Sequence, residues 1–176
     1  DGVLFRSDVI LRLGKAIAAG KKNPAPPELL RAVDPATDPP WTIRKDRTAY
    51  FYSHLVLNSL YYISHENILD LGDGTEAVLV TFEKEREGEA KRSARLLVIQ
   101  YPDDGRAAAA WARFSAAYLP DQVRAAEQER ERKTRDLFEV EDGWLGYRLA
   151  GRHLALAFGC PDPGSAREIL GRAVLK

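Results

Sequence analysis

Two segments in the second half of the chain resemble each other at a separation of 59 residues. Residues 97–107 read LVIQYPDDGRA and residues 156–166 read LAFGCPDPGSA, with Leu, Pro, Asp, Gly and Ala at five matching places. Each segment is a β-rich run, a Pro-Asp-x-Gly stop and the start of an amphipathic helix. Proline cannot donate to a strand ladder, and Asp or Ser can cap the following helix. Either duplication of a ββα unit or convergence on one stop signal explains the likeness.

The runs on either side of these segments predict two β-hairpins. Residues 77–83 and 95–101 are apolar and flank a polar, Gly-containing loop, while residues 137–140, 144–149 and 153–158 are separated by turn signals. Each following helix must cross its own hairpin to bury its apolar stripe. The sequence therefore predicts an α+β fold in which helices cover an antiparallel sheet mainly on one face, with two related ββα units in the C-terminal half.

Two helices complete these units. The spacing predicts a helix over residues 107–119 and a last helix whose N-terminus is a capping box formed by Ser165 and Glu168. If the units are duplicated, Trp111 and Leu170 occupy matching places. Both side chains should then be largely buried.

The length fits a single α+β domain over residues 1–176. Local signals predict a strand over residues 2–6, a helix over residues 7–20, a short helix over residues 27–33 and a charged helix over residues 121–134. We divide the chain into an N-terminal part with a Pro-rich connection, a first ββα unit with its preceding aromatic segment, the charged helix and a second ββα unit. These four parts cover residues 1–48, 49–120, 121–135 and 136–176.

The composition is unfavourable for nucleic-acid binding, for cysteine-based sites and for a membrane-spanning helix. Lys plus Arg and Asp plus Glu both total 26, so the chain lacks the cationic excess that nucleic-acid binders need. Cys160 is the only cysteine, which excludes an intrachain disulfide and a C-x-x-C site. The longest strictly apolar run covers residues 107–112, far short of the roughly 20 residues of a membrane-spanning helix. We predict no nucleic-acid partner and no membrane-spanning segment.

The densest polar cluster comprises His65, Glu66, Asn67, Asp70 and Asp73. A histidine and carboxylates can bind a metal or transfer protons. The spacing matches neither a calcium loop nor the H-E-x-x-H zinc motif. The alternative is a structural turn in which Asp73 and its glycine neighbour bend left-handed and Asn67 or Asp70 caps a neighbouring helix. Neither a nucleophile motif nor a phosphate loop occurs, and no cofactor is predicted.

An aromatic group precedes this cluster: Tyr50, Phe51, Tyr52, Tyr61 and Tyr62. Exposed tyrosines are frequent at protein interfaces, whereas buried ones simply fill a core. The intervening pattern favours a short helix within residues 50–63. Leu55, Val56, Ser59, Leu60 and Ile63 could line one face of that helix, while the run YYI alone could be a strand.

Residues 57–119 resemble a bacterial family of uncharacterised, mostly exported proteins, a domain of unknown function. LNSLYYISHENILDLGDGTEAVL, LLVIQYPD and the helix end AAYLP carry the resemblance, and GWLGYRLAGRHLALAFGCPD is similar to the family's closing hairpin. The resemblance implies export behind a signal peptide and an extracytoplasmic location, with which a start at Asp1 agrees. It supplies no activity, cofactor or catalytic residue, and a cytoplasmic location stays open.

Two functions remain as alternatives. In the first, a non-catalytic exported domain binds a protein or a cell-envelope component through the aromatic group. In the second, a small-molecule or metal-dependent enzyme has its site at residues 61–76 and uses His65, Glu66, Asp70 and Asp73. The candidate binding residues common to this stretch are Tyr61, Tyr62, His65, Glu66, Asn67, Asp70 and Asp73. A pocket that unites two of the polar side chains would favour the enzyme.

Overall fold

The computed structural model describes residues 27–33, 41–84, 91–119 and 136–175. Six antiparallel strands form one sheet in the order β1-β2-β3-β6-β5-β4. The strands are β1 (Thr42–Phe51), β2 (Glu76–Lys84), β3 (Arg92–Gln100), β4 (Leu137–Val140), β5 (Gly143–Ala150) and β6 (His153–Cys160). The described helices are a 3₁₀ helix (Glu28–Ala32), α1 (His54–Leu60), α2 (Asp104–Tyr118) and α3 (Pro163–Gly171).

The α+β class and the antiparallel sheet are confirmed. β3 pairs with β6, so both predicted hairpins belong to one sheet, with Leu97 opposite Leu156 at the centre of the ladder. Edge strand β1 was not predicted. Its charged sequence lacks an apolar alternation, and its pairing with β2 shifts register between Arg44 and Ala49, as a bulge requires.

Of the described α-helices, α1 and α2 lie on one face of the sheet and α3 lies on the other. Leu97 and Leu156 face a core that includes Leu57 of α1 and Phe114 of α2. Their neighbours along the strands face the opposite core, to which Ile169 of α3 belongs. Because side chains alternate along a strand, a sheet buried on both faces reads as a continuous apolar run. Such a run does not tell which face a helix will cover.

A bulge at Gly159 explains why α3 lies on the opposite face from α2. Gly159 has φ +63, a left-handed conformation that glycine adopts without steric cost, and the pairing between β5 and β6 shifts register next to it. The following Cys160 belongs to the core on the α3 side. Tyr101 is the matching residue after β3 and belongs to the core on the α2 side. One extra residue therefore redirects the chain.

The two Pro-Asp-x-Gly stops have the same local geometry. Asp103 caps α2 by accepting from the Arg106 backbone N–H, and Asp162 caps α3 by accepting from the Ser165 backbone N–H at 2.7 Å. The predicted capping box at Ser165 is wrong, because α3 begins earlier and the Ser165 hydroxyl donates to Asp162 at 2.8 Å. The two helices therefore share the same stop and cap, but they cover opposite faces of the sheet.

The matched pair Trp111 and Leu170 is only partly as predicted. Leu170 is buried, whereas Trp111 is half-buried and stacks on Tyr147 with ring centroids 3.6 Å apart. The fully buried aromatic residue of α2 is Phe114. Phe114, rather than Trp111, is therefore the aromatic residue of α2 that lies fully inside the core.

The remaining local predictions have mixed outcomes. The short helix predicted over residues 27–33 is the 3₁₀ helix, and a helix followed by an irregular turn occurs within residues 50–63. The predicted strand 2–6, helix 7–20 and charged helix 121–134 lie outside the described residues. The single-domain division of the chain stays a prediction. Within the described residues, no helix has the length and apolar character to cross a membrane.

Candidate functional site

Residues 61–75 connect α1 to β2 and contain most of the polar residues selected from the sequence. Asn67 closes a turn in this connection: its Oδ1 accepts from the Leu71 N–H at 2.9 Å and its Nδ2 donates to the Leu71 carbonyl at 2.7 Å. Asp70 lies inside that turn with φ +52. Asp and Asn tolerate this left-handed conformation better than most side chains. The Asn67 side chain thus has a structural role in holding the turn.

Asp70 fastens the same turn to α2. Its carboxylate lies 3.0 Å from Arg106 and 3.2 Å from Arg113. The hydrogen bond from Arg106, followed by that from Arg113, holds the pKa of Asp70 below its usual value. The Tyr101 hydroxyl reinforces the attachment by donating to the Leu69 carbonyl at 2.7 Å. Both oxygens of Asp70 therefore contact arginines within the chain.

His65 and Glu66 are directed into solvent. His65 Nε2 lies 3.6 Å from a Glu66 carboxylate oxygen, and both side chains are more than two-thirds exposed. Within the described residues, no group of three His, Cys, Asp or Glu side chains is arranged to hold a metal ion. The polar cluster of the sequence is thus spread along the connection rather than gathered at one point.

Tyr61 and Tyr62 have opposite environments. The Tyr61 ring packs against Phe158 with centroids 5.2 Å apart, and the Arg95 guanidinium lies 4.6 Å above the ring centroid. Burial raises the pKa of Tyr61. Tyr62 is 66% exposed. Of these two predicted binding residues, only Tyr62 is mostly exposed to solvent.

Two cavities adjoin the connection. A crevice of about 10 Å³ beside Glu66 and Asn67 has room for about one water molecule. An open groove of about 480 Å³ lies between Tyr52 and the turn that carries Asp73. The volume of the groove is in the range of small-ligand sites. The full lining of the groove is Tyr52, Ser53, Gly72, Asp73, Gly74, Thr75 and Glu76.

Large apolar side chains are exposed around α1. We define the α1 patch as five residues: Tyr52, Leu55, Val56, Leu60 and Tyr62. Their exposed fractions run from 42% for Val56 to 69% for Leu55. Leu55, Val56 and Leu60, for which the sequence pattern suggests a common helical face, are therefore exposed rather than buried.

Helix geometry explains this outward face. Ser53 starts α1 by accepting from the Leu55 N–H at 3.2 Å, and Leu57 is the buried residue of the helix. With 3.6 residues per turn, a helix that directs Leu57 inward directs Leu55 to the opposite side, about 160° away. Val56 and Leu60 lie on the flank between them and are less exposed than Leu55. The apolar spacing in the sequence shows that these residues share one side of the helix. It does not show whether that side faces inward.

No protein-family model, no curated protein and no solved structure matches this chain. The resemblance to an uncharacterised exported family stays a prediction. The α1 patch and the groove beside it are the surface features that bear on function.

Proposed function

We propose that this domain binds a protein partner through the α1 patch. The observation that carries the proposal is the concentration of exposed apolar side chains: five of the seven large exposed hydrophobic residues in the described part lie within residues 52–62. Scattered exposed apolar residues are normal in soluble proteins, whereas a contiguous group of them is typical of an interaction surface.

The α1 patch is held in place before any partner arrives. The Asn58 side chain accepts from the Ile63 N–H at 3.1 Å and donates to the Ser64 carbonyl at 2.6 Å, which fixes the chain on both sides of Tyr62. Leu57 anchors α1 in the core. A surface that is already ordered loses less conformational entropy on binding. The two tyrosines add broad rings with hydroxyl groups, a composition typical of protein interfaces.

A protein fits this surface better than an anionic membrane. Lipid-binding surfaces combine apolar residues with Lys or Arg that contact the headgroups. The ionisable side chains that line the groove beside the α1 patch are the carboxylates of Asp73 and Glu76. These carboxylates would repel anionic lipid, whereas a protein segment can supply complementary charge.

A peptide selection tests the proposal. A random linear peptide library displayed on phage is selected on the wild-type domain, and the enriched peptides are then measured against the variant Leu55→Ser/Tyr62→Ser. Because hot-spot side chains each contribute about 2 kcal/mol, we expect affinity to fall at least about thirtyfold. Leu149→Ser is the matched control, since Leu149 is exposed and lies outside the α1 patch. It should bind like the wild type.

Three results would contradict the proposal. The selection could enrich no peptide, or the enriched peptides could bind the double variant as tightly as the wild type. The wild-type domain could also self-associate in sedimentation through the α1 patch, with the double variant monomeric. The last result would assign the α1 patch to a second copy of this chain.

The other expectations from the sequence gain no support from these contacts. Export, a bacterial origin and a cell-envelope partner remain predictions from the resemblance. Within the described residues, Asp70 contacts arginines and Asp73 lines the groove, while His65 and Glu66 lie in solvent. The enzyme alternative, which needs these groups together, stays a prediction.

A further inference from the structure

We infer that the partner presents a Lys or Arg side chain beside its apolar residues, and that this cation enters the groove between Tyr52 and the turn at residues 72–76. This inference rests on the proposed function, because it adds charge recognition to the same binding surface. It specifies the partner's chemistry as an apolar segment with an adjacent basic side chain.

The groove and the α1 patch form one continuous surface because they share Tyr52. The Tyr52 ring packs edge-on against Tyr50, with centroids 5.4 Å apart and planes at 84°. This contact fixes the ring at the boundary between the two areas. A partner that covers the exposed half of Tyr52 therefore also reaches the groove.

The groove carries negative charge that the described part of the chain leaves uncompensated. Its carboxylates belong to Asp73 and Glu76, and no described Lys, Arg or His lies within ion-pair distance of either. Other carboxylates nearby in the sequence are compensated: Asp70 contacts two arginines, and Glu83 contacts Arg44, Arg47 and Lys91. The groove carboxylates are therefore available to an external cation.

The walls of the groove provide further groups that suit a cation. Thr75 is 1% exposed, and its Oγ1 has no hydrogen-bond partner among the described residues. A side-chain carbon added at Gly72 would meet nothing within 4 Å, so the groove is open at that wall. The Thr75 hydroxyl, the tyrosine ring and the two carboxylates are groups that contact ammonium and guanidinium ions in proteins.

Two small probes, one cationic and one neutral, test whether the groove binds a positive charge. N-acetyl-arginine methylamide and its neutral analogue N-acetyl-citrulline methylamide are titrated into the isotope-labelled domain, and amide chemical shifts are followed. We expect saturable shifts at residues 72–76 with the arginine probe only. They should persist in Leu55→Ser/Tyr62→Ser and disappear in Asp73→Asn/Glu76→Gln. Glu141→Gln is the control with an exposed carboxylate outside the groove, and it should respond like the wild type.

The selected peptides test the same point in the full surface. We expect the enriched sequences to share a Lys or Arg next to apolar residues. Their affinity should fall about fivefold for each neutralised groove carboxylate, and less at high salt, because solvent-screened ion pairs contribute up to about this much. Glu141→Gln should leave affinity unchanged.

The outcomes separate the two claims. Peptides that depend on the α1 patch but carry no basic residue, or that ignore Asp73→Asn/Glu76→Gln, would overturn the inference and leave the proposed function standing. A second outcome is that the arginine probe shifts the groove amides but no selected peptide depends on the α1 patch. That outcome would overturn the proposed function and also the inference that the partner is an apolar segment with a basic side chain. Absence of arginine-specific shifts at residues 72–76 would overturn the inference directly.

Discussion

Helices α1 and α2 both contain apolar residues and direct most of them oppositely. α2 buries Ala107, Ala110 and Phe114 against the sheet. α1 buries Leu57 and exposes most of its other apolar side chains, among them Leu55. Both helices begin with a side-chain cap, so the difference does not lie in how they start. It lies in the direction of the apolar face, which the surrounding structure sets.

This difference assigns the two helices separate tasks. Burial of apolar area contributes to the free energy of unfolding, whereas exposed apolar area contributes only when a partner covers it. Substitutions in α2 should therefore change stability. Substitutions in the outward face of α1 should change binding and leave stability almost unaltered.

The largest effect is expected at the centre of the α2 face. Phe114→Ala should lower the free energy of unfolding by about 3–5 kcal/mol, because it removes a fully buried ring and leaves a cavity. Urea unfolding followed by circular dichroism measures this change. Leu55→Ala in α1 is the matched substitution and should change stability by less than about 0.5 kcal/mol. Equal losses for the two variants would abolish the distinction between the helices.

A smaller effect is expected for the half-buried ring of α2. Trp111 stacks on Tyr147 but keeps part of its surface in solvent. Trp111→Ala should therefore cost about 2 kcal/mol, below the range for a fully buried aromatic residue. A loss as large as that of Phe114→Ala would show that Trp111, rather than Phe114, centres the packing. The same urea experiment measures both variants.

The smallest stability effect concerns Asp70, which attaches the connection after α1 to α2. Arg106 and Arg113 lower the pKa of Asp70 in the folded state. The carboxylate therefore stabilises the fold at pH values above its unfolded pKa of about 3.9, and this contribution is lost as pH falls through the lower folded value. Asp70→Asn should cost about 1 kcal/mol at pH 7, a value limited by solvent exposure.

The pH series supplies the control for this variant. Asparagine tolerates the left-handed backbone at position 70, so the substitution removes charge without adding strain. The stability difference between the wild type and Asp70→Asn should shrink in urea unfolding below about pH 4. A difference that stays constant across pH would mean that the arginine contacts do not stabilise the fold.

The sequence predicts those parts of the fold that depend on local signals. Continuous apolar runs and turn residues locate the strands from β2 to β6, and the Pro-Asp-x-Gly stops locate the starts of α2 and α3. Which face each helix covers depends on the bulge at Gly159. No sequence signal distinguishes that glycine from the others, because the extra residue of the bulge is defined only by the pairing of β6 with β5.

The candidate site is predictable to a smaller extent. The aromatic and polar stretch contains part of the surface proposed above, on which Tyr62 and Asp73 lie. Asn67 and Asp70 instead have structural roles. Asn67 holds a turn through hydrogen bonds to nearby Leu71, and Asp70 fastens that turn to arginines of α2 that are distant in sequence. The exposure of Leu55 could not be derived from spacing, since an apolar helical face has the same pattern whether it meets a core or a partner.

Edge strand β1 escaped prediction for a related reason. Its residues Arg44 and Asp46 pair with each other, and Arg44 also contacts Glu83 on β2. A charged, bulged edge strand discourages pairing with other chains, so it lacks the apolar alternation by which strands are found.

The amide chemical shifts of the labelled domain, recorded with a selected peptide, test directly whether α1 is the recognition surface. On addition of a peptide from the phage selection, we expect the amide shifts of residues 52–62 and 72–76 to change, while those of the exposed side of α2 and of the β4–β5 hairpin stay unaltered. Shifts centred on α2 or on the β4–β5 hairpin, with residues 52–62 unaffected, would contradict the assignment of α1 to recognition.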